Sequence, residues 1–198
     1  MAKYLCVGGG PRCGTRLLAW CLGQHPAVSM TWNETMLPLR IMQAAAGCEE
    51  FLQTVDGQAR GATADMARAM LAGLCEHAPE GLAYIGDKAP AYSLCWREVR
   101  QVAPDARFVF IERDVHAAAL SALRFPWSPD TIEEAEGLVQ MHLDGARQCE
   151  GALWVRLERL NVNPERELAP VLAGLGLDPA LMPWASVMAQ ILSPDHLN

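Results

Sequence analysis

Residues 8–17, Gly-Gly-Gly-Pro-Arg-Cys-Gly-Thr-Arg-Leu, set four glycines and two arginines between an apolar run and a helical pattern. Gly8, Gly9 and Gly10 let the backbone turn through positive φ and approach a ligand closely. The unpaired N–H groups of the first helical turn, near Gly14 to Leu17, aim at the same point. Such a nest binds anions, phosphate above all. Gly9 and Gly14 have the G-x-x-x-x-G spacing of a P-loop, but Thr15 stands where the nucleotide-triphosphate version has Lys, and Arg16 where it has the Mg²⁺-binding Ser or Thr. The pattern points to phosphate held without a metal. On its own, the same stretch would also serve as an ordinary strand–helix turn with Arg12 on the surface.

Short apolar runs at Tyr4 to Gly9, Ala27 to Met30, Leu82 to Ile85, Arg107 to Glu112 and Ala152 to Leu157 read as strands, separated by segments of helical spacing. This alternation predicts an α/β fold: a P-loop-type, mainly parallel five-stranded sheet with helices on both faces, the whole chain forming one domain. Leu17, Leu18, Cys21 and Leu22 make one face of the first helix, which Gly23 to Pro26 ends. Met66, Met70 and Leu74 align on a later helix, and Ala135, Val139, Leu143 and Ala146 on another. Asn163 and Pro164 form an N-cap and first-turn pair ahead of Leu168, Val171, Leu172 and Leu175. In an open sheet of this class ligands sit beyond the carboxyl ends of the strands. The glycine loop, Lys88 and Arg113 all fall there.

The segment PRCGTR, after a glycine-ended strand and before an apolar helix, resembles the P-[KR]-S-G-T-[TS] loop of sulfotransferases that use adenosine 3′-phosphate 5′-phosphosulfate (PAPS). Three further segments follow in that family's order. Trp32 to Met42, WNETMLPLRIM, is similar to the Glu-Thr-x-x-x-Pro segment of tyrosylprotein sulfotransferases, and Tyr84 to Tyr92, YIGDKAPAY, to their Asn-Lys-x-Pro segment. Pro104 to Leu123 resembles the 3′-phosphate site, with Arg113 and, eight positions on, Ser121. Val155 to Leu177 is a weaker match to the late strand and helix of the domain.

The resemblance implies a sulfotransferase that moves a sulfuryl group from PAPS to an acceptor hydroxyl without a metal, leaving adenosine 3′,5′-bisphosphate (PAP). It gives Arg12 the bridging oxygen and 5′-phosphate, and the amides of Cys13, Gly14, Thr15, Arg16 and Leu17 with the Thr15 hydroxyl the phosphate itself. Lys88 falls beside the leaving group, Glu34 is the general base on the acceptor, and Arg113 and Ser121 clamp the 3′-phosphate. Peptide tyrosine, a sugar and a small molecule all remain open as acceptors.

Read without the resemblance, Arg113 would equally pair with Asp114, Ser121 cap or back-bond in a helix, Lys88 decorate a solvated turn and Glu34 a helix start. Two rival functions share the sheet: an inactive PAP-binding sensor or scaffold, and a nucleotide-phosphate kinase. The missing Lys and Mg²⁺ positions oppose the kinase. Arg12, Glu34 and Lys88 together oppose the inactive domain.

The chain departs from the family pattern at Cys13 for Ser, Arg16 for Thr, Val115 for Pro or Gly and Leu157 for Tyr, and it lacks a clear basic, glycine-rich C-terminal segment. Cys13, at a helix N-terminus between basic residues, is either a thiol of lowered pKa or a buried inert one.

With 198 residues, 51% of them apolar, the chain can bury a proper core. A net charge of −7 argues against nucleic acid or an anionic membrane as partner, so the useful basic residues must be concentrated in the site. Seven scattered cysteines without a C-x-x-C pair resemble neither a disulfide framework nor a zinc site and suggest a reducing compartment. No apolar stretch approaches a membrane span and the first strand leaves no room for a signal peptide, so a cytoplasmic enzyme is expected. The histidines lack metal-ligand spacing. The tryptophans read as core, one of them a candidate to stack on adenine.

Overall fold

The computed structural model describes residues 1–31, 33–56 and 62–192; Trp32, the first residue of the Glu-Thr segment, lies outside them. In chain order the elements are β1 (Lys3–Gly9), α1 (Thr15–Leu22), β2 (Val28–Met30), α2 (Leu37–Asp56), α3 (Ala62–Glu76), β3 (Tyr84–Lys88), α4 (Tyr92–Val102), β4 (Arg107–Glu112), α5 (Val115–Ala122), α6 (Ile132–Arg147), β5 (Leu153–Arg156), α7 (Leu157–Val162), α8 (Pro164–Gly174) and α9 (Trp184–Ile191). The strands form one five-stranded sheet in the order β2-β3-β1-β4-β5. Every pairing is parallel.

Alternation along the two central strands builds a core on each face. Leu5, Val7, Val109 and Ile111 join one apolar cluster with α1, α8 and Val187 of α9, while Tyr4, Cys6, Phe108 and Phe110 join the other with residues of α2, α3 and α4. Both faces of β1 and β4 are therefore dry, as a parallel sheet covered on both sides requires. The predicted stripe on α6 is buried, Ala135 through Ala146. So is that on α8, where Asn163 caps the helix by accepting from the Arg166 amide at 3.0 Å.

Two expectations shift. On α3 the buried residues are Ala67, Leu71 and Cys75, whereas Met70 and Leu74 are about half exposed at 49% and 46%. The inward face lies one position beyond the methionine stripe, where Ala67 and Leu71 join the cluster that holds residues of α2 and α4. β3 starts at Tyr84 and runs on to Lys88, so Gly86, Asp87 and Lys88 belong to the sheet and not to a turn after it.

β1 leads leftward to β2 past β3, whereas β4 leads rightward to β5, which opens a crevice between the carboxyl ends of β1 and β4. The register puts Gly9 level with Ile111, and Val7 level with both Lys88 and Val109. Whatever follows Gly9, Lys88 and Glu112 therefore gathers at one edge.

Candidate active site

The glycine loop leaves β1 along a path that only glycine fits. A Cβ on Gly9, at φ +151°, would lie 2.3 Å from the Ile111 carbonyl oxygen. Gly14, at φ +96°, is the N-cap of α1 and supplies no side-chain cap, so the first amides of that helix face the loop without a side-chain partner from the N-cap. Cys13 closes the turn by donating its N–H to the Gly10 carbonyl at 3.1 Å. The predicted amides from Cys13 to Leu17 thus lie on one turn. Thr15 is buried within it, and Arg16 is exposed on its outer side.

Arg12 has φ +62°, a left-handed conformation that is strained for a side-chain-bearing residue. It is held from three sides. Arg113 donates from Nη1 to the Arg12 carbonyl at 3.2 Å, the Arg12 Nε donates to Ser121 Oγ at 3.2 Å, and the guanidinium lies 4.1 Å from the centre of the Phe125 ring. Three positions read from separate parts of the sequence are therefore joined, with Arg12 in contact with both Arg113 and Ser121. Asp114 serves the helix instead of Arg113: its carboxylate caps α5 by accepting from the Ala117 amide at 2.8 Å.

Arg124 is a third cation here, and sequence reading missed it. Burial, reinforced by Arg113 and Arg124, pushes the Arg12 pKa below its ordinary value. None of the three arginines forms an ion pair among the described residues. Like charges brought together in this way favour an anion between them. Phe125 also stacks on Trp127, ring centres 5.6 Å apart, and Trp127 is exposed, unlike the core role expected of the tryptophans.

One strand across, Lys88 ends β3 with only 8% exposure, which rules out the solvated-turn reading. Its ammonium donates to Glu34 Oε1. Glu34 and Lys88, separated by 54 positions, thus form one ion pair at the sheet edge that carries the glycine loop. Glu34 keeps about half of its side chain exposed, at 54%, and so remains open to an incoming group.

Cys13 is fully buried, and burial pushes its thiol up to about 11 despite backbone hydrogen bonds and the nearby Arg113, so the inert of the two readings holds. His25 is structural: Nδ1 accepts from the Ala27 amide and Nε2 meets the Asp178 carbonyl, each at 3.1 Å. Among the described residues, no group of three or more His, Cys, Asp or Glu side chains could hold a metal ion, and no helix is long and apolar enough to cross a membrane.

A model of the sulfotransferase family matches residues 5–180, and the chain belongs to that family. Solved structures agree on the fold. The sulfotransferase domain of the Synechococcus PCC 7002 olefin synthase is 19% identical, with a TM-score of 0.64 over 100% of this chain and 79% of that one. The sulfotransferase domain of the curacin biosynthetic pathway is 16% identical, with a TM-score of 0.63 over 99% and 80%. A sulfotransferase from Alicyclobacillus acidocaldarius is 15% identical, with a TM-score of 0.60 over 99% and 88%. No curated protein matches the chain in sequence.

Proposed function

We propose that this chain is a sulfotransferase that takes PAPS as donor and a hydroxyl compound as acceptor, without a metal. The observation that carries the reading is the contact of Arg12 with Arg113 and Ser121, with Arg124 near enough to act on the Arg12 charge and none of the three arginines in an ion pair among the described residues, at a loop whose helix N-terminus has no side-chain cap. That combination fits a ligand with two separated phosphates better than one with a single phosphate. Charge on Arg124 also offsets the missing basic C-terminal segment.

When bound, the donor supplies a sulfuryl group whose S–O bond to the 5′-phosphate breaks as the acceptor oxygen bonds to sulfur. The α1 amides hold the 5′-phosphate, and Arg12 donates to the bridging oxygen as charge grows there. Arg113 and Ser121 hold the 3′-phosphate. Glu34 takes the acceptor proton, and Lys88 anchors Glu34 through its ammonium and faces the developing charge. Peptide tyrosine, a sugar and a small molecule remain the acceptor candidates, tyrosine favoured by the Glu34 and Lys88 segments.

Calorimetric titration without added metal, using PAP, adenosine 5′-phosphate and ATP, tests the donor. PAP is expected to bind about 10- to 100-fold more tightly than adenosine 5′-phosphate, the worth of charge-assisted hydrogen bonds to the second phosphate. Equal binding overturns the donor assignment. Strict Mg²⁺ dependence with ATP favours the kinase, and tight PAP binding without sulfuryl transfer to any phenol or sugar favours the inactive binder.

A further inference from the structure

The Glu34–Lys88 pair is flanked by a second contact between the next residues along each segment. Asp87, immediately before Lys88, is completely buried, and both of its carboxylate oxygens are used. Oδ2 accepts from the Thr35 hydroxyl and, at 3.4 Å, from the Leu37 amide; Oδ1 accepts from the Tyr92 hydroxyl at 2.5 Å. Tyr92 is itself fully buried at the start of α4, and burial raises its pKa so that the phenol stays protonated and donates. Thr35 and Leu37 bracket Met36, which at φ +47° is, with Arg12, one of two residues other than glycine in the left-handed region among those described. Such a backbone persists only where its surroundings over-determine it. Asp87 supplies that constraint, because one of its oxygens grips the residues on both sides of the strained position.

We propose that Asp87 is a positioning residue: through Thr35 and the Leu37 amide it fixes the turn at Met36, and so sets where the Glu34 carboxylate meets Lys88 and the acceptor. A buried carboxylate with a full set of donors is rigid, since losing any partner leaves a polar atom unsatisfied in a dry interior. Among the described residues Glu34 has no such partner apart from Lys88, and its half-exposed side chain depends on the backbone behind it for direction. The catalytic consequence rests on the reading of Glu34 as the base; the anchoring does not.

The test compares Thr35→Val, which removes the hydroxyl at nearly constant size, with Thr35→Ser, which keeps it. Amide hydrogen exchange is measured by NMR at residues 35–37 and in β1, with PAP present. In Thr35→Val the 35–37 amides are expected to exchange at least about tenfold faster while β1 is unchanged, and Thr35→Ser is expected to restore protection. Unchanged exchange at 35–37 overturns the proposal, whether or not the probe acceptor 2-naphthol is sulfated. Turnover from PAPS to 2-naphthol then separates the two readings. A fall in kcat without a change in KM for PAPS, rescued by Ser, supports positioning. Full turnover in Thr35→Val, where Glu34→Gln is inactive, overturns it. If Glu34→Gln is itself fully active, the base assignment fails, and faster exchange still supports the anchoring. Asp87→Asn serves as a second variant, expected to loosen the same amides.

Discussion

The two halves of the site are built by different means. The anion half, beyond β1 and β4, rests on backbone: a glycine path against the Ile111 carbonyl, the first turn of α1, and an arginine held through its own carbonyl by Arg113. The carboxylate half, beyond β3, rests on side chains: Lys88 on Glu34, and Thr35 and Tyr92 on Asp87. A backbone cradle holds its ligand through amides and not side chains, which explains how the buried Cys13 and the exposed Arg16 can replace hydroxyl residues. A side-chain lattice fails when one member is removed. Donor binding and proton removal should therefore respond separately to mutation.

The largest effect is expected from Glu34→Gln. If the carboxylate takes the acceptor proton, kcat falls by about 10²–10⁴-fold, more for an alcohol than for a phenol, whose pKa near 10 leaves the base less to do. PAP affinity by calorimetry and the melting temperature with PAP bound stay as they were, and a parallel loss of PAP affinity would erase the distinction between the halves. Next comes Arg12→Ala, expected to lower kcat by about 10²–10³-fold with a much smaller effect on PAP binding, because its contact strengthens as charge develops. Loss of affinity alone would make Arg12 an anchor only. Arg113→Ala should leave adenosine 5′-phosphate binding nearly intact while removing most of the roughly 10- to 100-fold preference for PAP. The smallest effect concerns Cys13. With its thiol held up to about 11, it should resist iodoacetamide at pH 8, reacting only as the pH nears that value, while the exposed Cys48 is alkylated first. Mass spectrometry of the labelled peptides reads the order.

The legible features were those in which one residue type can do one job. The glycines of residues 8–14 and the apolar strands had a narrow physical reading, the Arg113–Ser121 spacing was legible through the family resemblance, and the structure puts Arg12 in contact with both residues. The carboxylate half was harder to read because its residues look like ordinary surface. Gly86-Asp87-Lys88 interrupts the apolar run, so the strand seemed to end at Ile85, Lys88 could pass for a solvated turn residue, and Asp87 drew no reading of its own. Its signal was indirect: an acid and a base side by side near the carboxyl end of an inner strand of a parallel sheet. Arg124 had no spacing partner to mark it. On α3 the pattern favoured Met70 and Leu74 over the face of Ala67, Leu71 and Cys75 that is buried, because periodicity weighs bulk and so gave Ala67 and Cys75 little weight.

The arginine cluster also bears on how quickly a polyanion is captured. The protein as a whole carries −7, the same sign as the proposed donor, so at low ionic strength, where the Debye length reaches about 30 Å, an approaching ligand feels mainly repulsion. Near 0.15 M salt that length shrinks to about 8 Å, and only the local field of Arg12, Arg113 and Arg124 remains in view. The association rate should then rise with the first additions of salt before falling, a maximum that a protein steered by its net charge would not have.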